Sequence, residues 1–531
     1  MQKVLTAAEM REVDRLTTER YGIPSIILME NAAHAVARVI TEKLGGSVKG
    51  KSILILCGKG NNGGDGAALA RILSAEAAIV YVILYGVGLV EAKGDARINF
   101  DRIIGAEFQD KINFVEANEY WKAWEYLNKT DWDGLSCLVD AVFGTGLKYF
   151  DDALNEILSS FEDTLHIAVD IPTGLFADKA SVKPFQFKAD VTVTFTAPKI
   201  GNLLPPASNF NGELVVAEIG SPQELIDEQG SQLFLAENKD AGKWLELTKF
   251  SDSSYKNKRG HALLIAGSEN YSGAAVLAGN AGMRSGVGLV TLVTPRTSKE
   301  SVAARVLPEV MVRGVAETAS GAISGSAYDE IGDLLEKADA VAIGCGLSQD
   351  ESTKRFVQKV IENRRQPVVV DADALNLLAP FDGEAANGAS DAPLILTPHE
   401  GEFLRLLGTD DKDAIKDRVA AVREFSQKHN VILVLKGERV LIGEPGGKVV
   451  VNPTGNSGLG KAGNGDTLTG ILAGFTAQAA AMNIDIFETV VAAVYVAGLA
   501  GDIAEKKYGK RVMTASDVRE CLTEAFAAVA C

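Results

Sequence analysis

The chain is short of positive charge, of cysteine and of long apolar runs. With 53 Lys and Arg against 70 Asp and Glu it carries a formal charge of −17. That balance disfavours the nucleic-acid backbone, because counterion release needs clustered basic side chains. An anionic small molecule is still admissible, since main-chain N–H groups at helix N-termini and glycine turns supply positive potential whatever the net charge. The five cysteines, Cys57, Cys137, Cys345, Cys521 and Cys531, show no CxxC spacing. Neither a zinc cluster nor a disulfide framework is expected, and the thiols read as reduced and mostly buried. No apolar stretch reaches the roughly 20 residues that cross a bilayer, so no membrane segment is expected. The N-terminus mixes charges into helical spacing and has no h-region, so a cytoplasmic protein is expected.

What is present is a sequence of 531 residues, 47% hydrophobic, too long for one ordinary core and expected to form two α/β domains. Strand-like runs at 52–56, 78–84, 137–142, 166–171, 191–195 and 214–219 alternate with helical patterns, which predicts a parallel sheet with helices on both faces. A polar stretch follows, with no clear strand and a domain boundary near 225–240. A second alternating series runs through 262–267, 289–293, 340–344, 367–371, 393–397, 431–436 and 448–452. The Ala- and Gly-biased segment 383–391 reads as a solvated loop.

The string CGKGNNGGDGAALARIL, Cys57 to Leu73, follows an apolar strand and leads into a helix. Gly58, Gly60 and Gly63 satisfy the dinucleotide fingerprint, but no acid ends the next strand to hold a ribose, so hydride transfer is disfavoured. The fuller GKGNNGGDG reads as a turn whose amides and N–H groups cradle a pyrophosphate; the alternative is a tight turn with Asp65 complementing the helix dipole. Asp140, in LVDAVFGTGL, and Asp170, in VDIPTG, end strands of the same sheet and point to one crevice, although a lone strand-end Asp is often a cap. An Asn, an Asp and a Thr hydroxyl there also suit a hard cation.

In the second half, GNSGLGKAGNGDTLTGILAGF, Gly455 to Phe475, runs a glycine loop into a helix beginning near Asp466. Amides from Ala462 to Gly465 would face an anion, with Asp466 as a general base or, on the simpler reading, a cap. Lys461 precedes no Ser or Thr, so this is no Walker loop. The strings GCGLS (344–348), DADALNLL (371–378) and TPHEGEF (397–403) also lie at strand ends. His399 is either a ligand contact or a packed or surface histidine, and Lys436 either a phosphate contact or a snorkelling strand-end lysine.

The strings LTAAEMREVD, MENAA, GKGNNGGDG, VDAVFGTG and VDIPTG resemble the epimerase domain of NAD(P)H-hydrate repair proteins. The resemblance implies a Rossmann-like three-layer domain over about 1–225. It implies that Asn61, Asn62, Gly63, Gly64, Asp65, Gly144, Thr145, Gly146, Leu147, Lys148, Tyr149, Phe150 and Asp170 contact the hydrated nicotinamide nucleotide, and that Asn62, Asp140 and Thr173 hold K+. Thr173 stands where the family usually has serine, and keeps the hydroxyl. Likewise GHALLIAGSENYSGAA, GCGLS, DADALNLL, TPHEGEF, LKGERV and GNGDTLTG resemble the family's dehydratase domain, which implies a ribokinase-like α/β fold over about 236–531. Ala275, Gly346, His399 and Asp466 then contact the hydrated substrate, while Lys436, Gly437, Glu438, Arg439, Val440 and Gly465 contact the nucleotide. Glu400 departs from the proline frequent between His and Gly, and Asn464 from a small residue.

The function implied is repair of hydrated NADH and NADPH in two steps: epimerisation of the R and S hydrates, with acid–base help from Asp140, then dehydration of the S hydrate. ADP or ATP with Mg2+ would serve as co-substrate, ADP being suggested by bacterial members, and Asp466 would accept the ring hydroxyl's proton. A homo-oligomer is expected. The competing readings are a ribokinase-like kinase of a vitamin precursor or sugar alcohol, which the same loop and base would serve, and a non-catalytic nucleotide-binding scaffold.

Overall fold

The computed structural model describes residues 1–76, 78–105, 107–108, 110–130, 132–144, 161, 164–184, 186–252, 254–383 and 392–530. The chain divides into two compact units, Lys3–Ser231 and Gln232–Cys531, the latter together with Met1–Gln2. Both are the mixed α/β architectures expected. Thr145 to Phe150, most of the polar loop at 383–391, and Cys531 lie outside the described residues.

In the first unit the strands β1 (Ser52–Cys57), β2 (Ile79–Tyr85), β3 (Ile112–Ala117), β4 (Leu135–Ala141), β5 (Leu165–Val169), β6 (Val191–Phe195) and β7 (Glu213–Ala217) form a sheet in the order β3-β2-β1-β4-β5-β6-β7. Every pair is parallel. Ile53 to Cys57 are fully buried, as a central parallel strand covered on both faces requires. The strand order reverses between β1 and β4, and in open sheets that reversal leaves a crevice at the carboxyl ends. Register sets Leu56 beside Asp140 and Cys57 beside Ala141, so the glycine turn and the Asp140 loop both open there. Helix α1 (Ala7–Tyr21) starts at a reciprocal Thr6–Glu9 cap, and α2 (Ser25–Lys43) and α3 (Asn61–Ala75) follow.

In the second unit the strands lie in the order Leu233–Leu235, Val449–Asn452, Val440–Gly443, Ile432–Leu435, Leu394–Leu396, Val368–Val370, Ala340–Ile343, His261–Ile265, Leu289–Pro295 and Met311–Val315. Pairing is parallel except at Val440–Gly443, which runs antiparallel to both neighbours. Lys436–Arg439 is therefore the turn of a β-hairpin. Leu233–Leu235, placed by sequence in a strandless linker, pairs with Val449–Asn452. The sequence expectation on apolar length is also corrected. Helix Ile486–Tyr508 is long and apolar enough, by length and composition only, to cross a membrane. Most of its apolar window is buried, with Val490, Val491, Val494, Val496 and Ala500 in one core with Ile471, Leu472 and Phe475 of helix Asn464–Met482.

Candidate active sites at the carboxyl ends of both sheets

The turn after β1 is shorter than the sequence suggested. Gly60 is its last extended residue, and Asn61 already begins α3. A run of Asn and Gly reads as a turn by propensity, but packing overrides it: a Cβ on Gly66 would meet Cys57 Sγ at 2.7 Å and Ala141 Cβ at 2.8 Å, so the glycines let α3 press onto the sheet. The turn also closes on itself, since a Cβ on Gly63 would stand 1.7 Å from the Gly58 carbonyl oxygen.

Asn61 is exposed, whereas Asn62, Gly63, Gly64 and Asp65 are buried. Among the described residues Asn62 Nδ2 has no hydrogen-bond partner, and its Oδ1 lies 3.4 Å from where Gly144 would carry a Cβ. Asp140 is fully buried. Its Oδ1 accepts from Thr173 Oγ1 at 2.7 Å and Val142 N at 3.2 Å, and its Oδ2 from Thr173 N at 2.6 Å. Burial raises its pKa to about 6 against the lowering effect of those donors. Both oxygens accept from the loops at 142 and 173, so Asp140 holds the Thr173 loop in place. Asn62, Asp140 and Thr173 fit K+: they offer oxygen donors with a single negative charge, and the Thr173 hydroxyl keeps lone pairs free while it donates to Asp140. Among the described residues no group of three or more His, Cys, Asp or Glu is arranged to hold a metal ion.

A titratable cluster beside this loop joins Asp65 and Asp170, both candidates from the sequence, to Lys199 and Asp14, which the sequence did not single out. Asp170, at φ 65°, accepts from Lys199 Nζ at 2.5 Å and Thr194 Oγ1 at 3.0 Å through Oδ1. The Lys199 side chain is 1% exposed. Asp65 is pushed well above the usual carboxylate range by burial and then by the charges of Asp170 and Asp14. Asp14, on α1, is raised to about 6, mainly by burial, and among the described residues its Oδ1 has no partner. A non-glycine residue at positive φ and acids that resist ionisation are features that gather at functional sites. Asp14 closes the LTAAEMREVD string, the only signal that pointed toward it.

In the second unit Asp371 is the hub. Its Oδ1 accepts from Lys436 Nζ at 2.7 Å and Thr397 Oγ1 at 2.8 Å, and its Oδ2 from Thr469 Oγ1 at 2.8 Å. Burial works to lower the Lys436 pKa, but the Asp371 and Glu402 carboxylates outweigh it and hold the ammonium above its usual value. Asp466 stands in the first turn of helix Asn464–Met482, entered through Gly463 at φ 93°. Burial and the Asp371 charge raise its pKa to about 6. Gly465 is close by: a Cβ there would lie 3.7 Å from Lys436 Nζ and 3.8 Å from Asp371 Oδ2. The first N–H groups of a helix have no intrahelical partner, so this end is an anion seat. Gly346, at φ 64°, has no room for a side chain against Tyr271 and Ala274, the latter next to the buried Ala275. His399 caps helix Glu400–Leu407, its Nδ1 accepting from Gly401 N at 3.0 Å and Glu402 N at 3.3 Å. Its exposed ring leaves Nε2 to carry the proton of the neutral form. Lys461 is tied to the carbonyls of Arg511 and Met513. A separate cavity of about 590 Å³, lined by Tyr328, Glu336, Arg365 and Gln366, sits at the amino end of Val368–Val370, away from this chemistry.

A family model described as YjeF-related protein N-terminus matches residues 25–201, and one described as NAD(P)H-hydrate dehydratase matches residues 262–524. The bifunctional NAD(P)H-hydrate repair enzyme of Moorella thermoacetica is 38% identical over 526 residues, covering 98% of this chain and 96% of its own. The enzyme of the same description from Thermofilum pendens is 34% identical over 530 residues, covering 99% and 97%. An ADP/ATP-dependent NAD(P)H-hydrate dehydratase from Bacillus subtilis, co-crystallised with ATP and Mg2+, is 31% identical over 54% of this chain and 97% of its own, with a TM-score of 0.47. The chain belongs to the bifunctional NAD(P)H-hydrate repair enzymes.

Proposed function

We propose that the first unit interconverts the R and S hydrates of NADH and NADPH and that the second returns the S hydrate to the dihydronicotinamide at the expense of ADP or ATP. The observation that carries the second step is Asp466, a carboxylate with a pKa near 6 at a helix N-terminus, beside the Lys436–Asp371 pair. Hydroxide is a poor leaving group. The ring hydroxyl oxygen therefore attacks the terminal phosphorus while Asp466 takes its proton, and the phosphorus–oxygen bond to the rest of the nucleotide breaks. The ring nitrogen's lone pair then expels phosphate, and loss of a proton from the adjacent ring carbon restores the double bond. Main-chain N–H groups at 462–465 hold the migrating group without reorganising. Mg2+ on the nucleotide would offset phosphate charge. Asp371 and Glu402 are the carboxylates beside Lys436, and such an ion commonly uses one or two carboxylates together with the phosphates.

In the first unit, hydroxide leaves one face of the ring and water returns to the other, which needs a proton donor and an acceptor. The Asp65, Asp170 and Asp14 carboxyls, with Lys199 behind Asp170, supply both, and Asp140 with Thr173 and Asn62 holds the loop and K+. What supports this division is that both Asp140 oxygens already accept from the loops at 142 and 173, Oδ2 from a single donor, which keeps room there for a cation. A cytoplasmic homo-oligomer is part of the same reading, checked by fractionation and light scattering.

The test is a mixture of R and S hydrates given to the purified chain with ADP or ATP, with and without K+. The near-UV absorbance of the whole mixture should return. No return with either nucleotide removes the dehydratase, and return of the S fraction alone removes the epimerase.

A further inference from the structure

We propose that Arg418 is a phosphate contact of the nucleotide site in the second unit, reaching its ligand through the turn of the Lys436–Arg439 hairpin. The proposal rests on the reading of that hairpin as the nucleotide loop. Arg418 is the first residue of helix Arg418–His429, whose start is fixed by Asp417 accepting from Ala420 N at 3.0 Å. From there the guanidinium runs against the hairpin: a Cβ on Gly437 would lie 2.5 Å from Arg418 Nη2 and 3.4 Å from its Cζ. Glycine at 437 makes room for this side chain.

The guanidinium is poorly satisfied where it sits. Its side chain is 15% exposed, yet among the described residues neither Nε nor Nη2 has a hydrogen-bond partner. Glu400 Oε1 approaches Nε at 3.4 Å, an ion pair without a hydrogen bond. A buried donor left unpaired is costly, and a planar cation with open donors matches an anionic phosphate oxygen. The neighbouring cations are already engaged: Lys436 binds Asp371, and Arg439 Nη1 donates to the Pro453 carbonyl at 2.6 Å. Among the described residues, Arg418 is thus a cation at the hairpin with two unpartnered donor nitrogens. Glu400, the departure from proline noted in the sequence, acquires a function as the residue that positions it.

Titration calorimetry with ADP, AMP and adenosine on the full chain tests this, comparing the unmutated protein with Arg418→Met, Arg418→Lys and Glu400→Pro. Arg418→Met should weaken ADP and AMP binding by roughly 10- to 100-fold, the range for losing a charge-assisted hydrogen bond, and leave adenosine unchanged. Arg418→Lys should recover part of the loss, and Glu400→Pro should show a smaller one. The dehydratase KM for nucleotide should rise while kcat at saturation stays within a few-fold. Removing a cation with open donors should not lower the melting temperature, so misfolding does not imitate the result. Unchanged ADP affinity in Arg418→Met, or an equal loss for adenosine, overturns the assignment while the nucleotide reading stands. Failure of the unmutated chain to bind ADP overturns both.

Discussion

Lys436 Nζ lies 2.7 Å from Asp371 Oδ1, and the same carboxylate takes hydroxyl donors from Thr397 and Thr469. The pair joins a strand end, a hairpin turn and the helix carrying Asp466. Removing one member of a buried pair leaves the other uncompensated, at a cost of about 3–5 kcal/mol. Lys436→Met should lower the melting temperature of the second unit's transition and weaken nucleotide binding together. A variant that loses binding with an unchanged melting temperature would show the pair to be mechanistic but not structural.

Asp466 acts as a base only when ionised, and its pKa is raised to about 6 by burial and the Asp371 charge. Dehydratase kcat/KM should therefore climb about tenfold per pH unit below 6 and level off above it. Asp466→Asn should cost about 10²- to 10⁴-fold, without effect on epimerisation. A flat profile between pH 5 and 7 in stopped-time assays contradicts this role.

Asp14 tests the carboxyl cluster through stability. Its folded pKa of about 6 lies above the ordinary 3.8, so the folded protein binds this proton more tightly than the unfolded chain. The stabilisation is complete below about pH 4 and is lost as pH rises through 6, by about 3 kcal/mol at most. Asp14→Asn lacks that loss, so its melting temperature relative to the unmutated protein should increase from pH 4.5 to pH 7. A difference that stays constant with pH would show that Asp14 is not held in this way.

Gly63 has its own signature because the two activities sit in separate units. A methyl group at Gly63 would collide with the Gly58 carbonyl at 1.7 Å. Gly63→Ala should abolish consumption of the R hydrate while the S hydrate is still dehydrated at the normal rate, as followed by chromatography of both epimers. Normal use of the R hydrate would mean the turn has more freedom than its packing indicates.

The strands most readily legible in the sequence were those buried on both faces, such as Ile53 to Leu56 and Val368 to Val370, whose apolar runs need no context. Edge and hairpin strands escaped: Ile112–Ala117 and Met311–Val315 border solvent and interleave exposed residues with buried ones, and Val440–Gly443 is short and follows charged turn residues. The glycine strings marked the correct ends of both sheets, because close backbone approach leaves a residue-level trace. Lys199 and Arg418 left none, and Asp14 only its place at the end of LTAAEMREVD. Each acquires meaning only from a neighbour distant in the chain: Asp170 for Lys199 and Asp14, Gly437 and Glu400 for Arg418.

The central claim is that the second unit dehydrates its substrate through a transient phosphate ester formed beside Asp466. Phosphorus NMR of the S hydrate with ADP or ATP, recorded alongside near-UV absorbance, tests it most directly. The account predicts that inorganic phosphate and the dihydronicotinamide chromophore appear together, one for one, and that both vanish in Asp466→Asn. Accumulation of a stable phosphorylated product, or absorbance recovered without phosphate release, would contradict it.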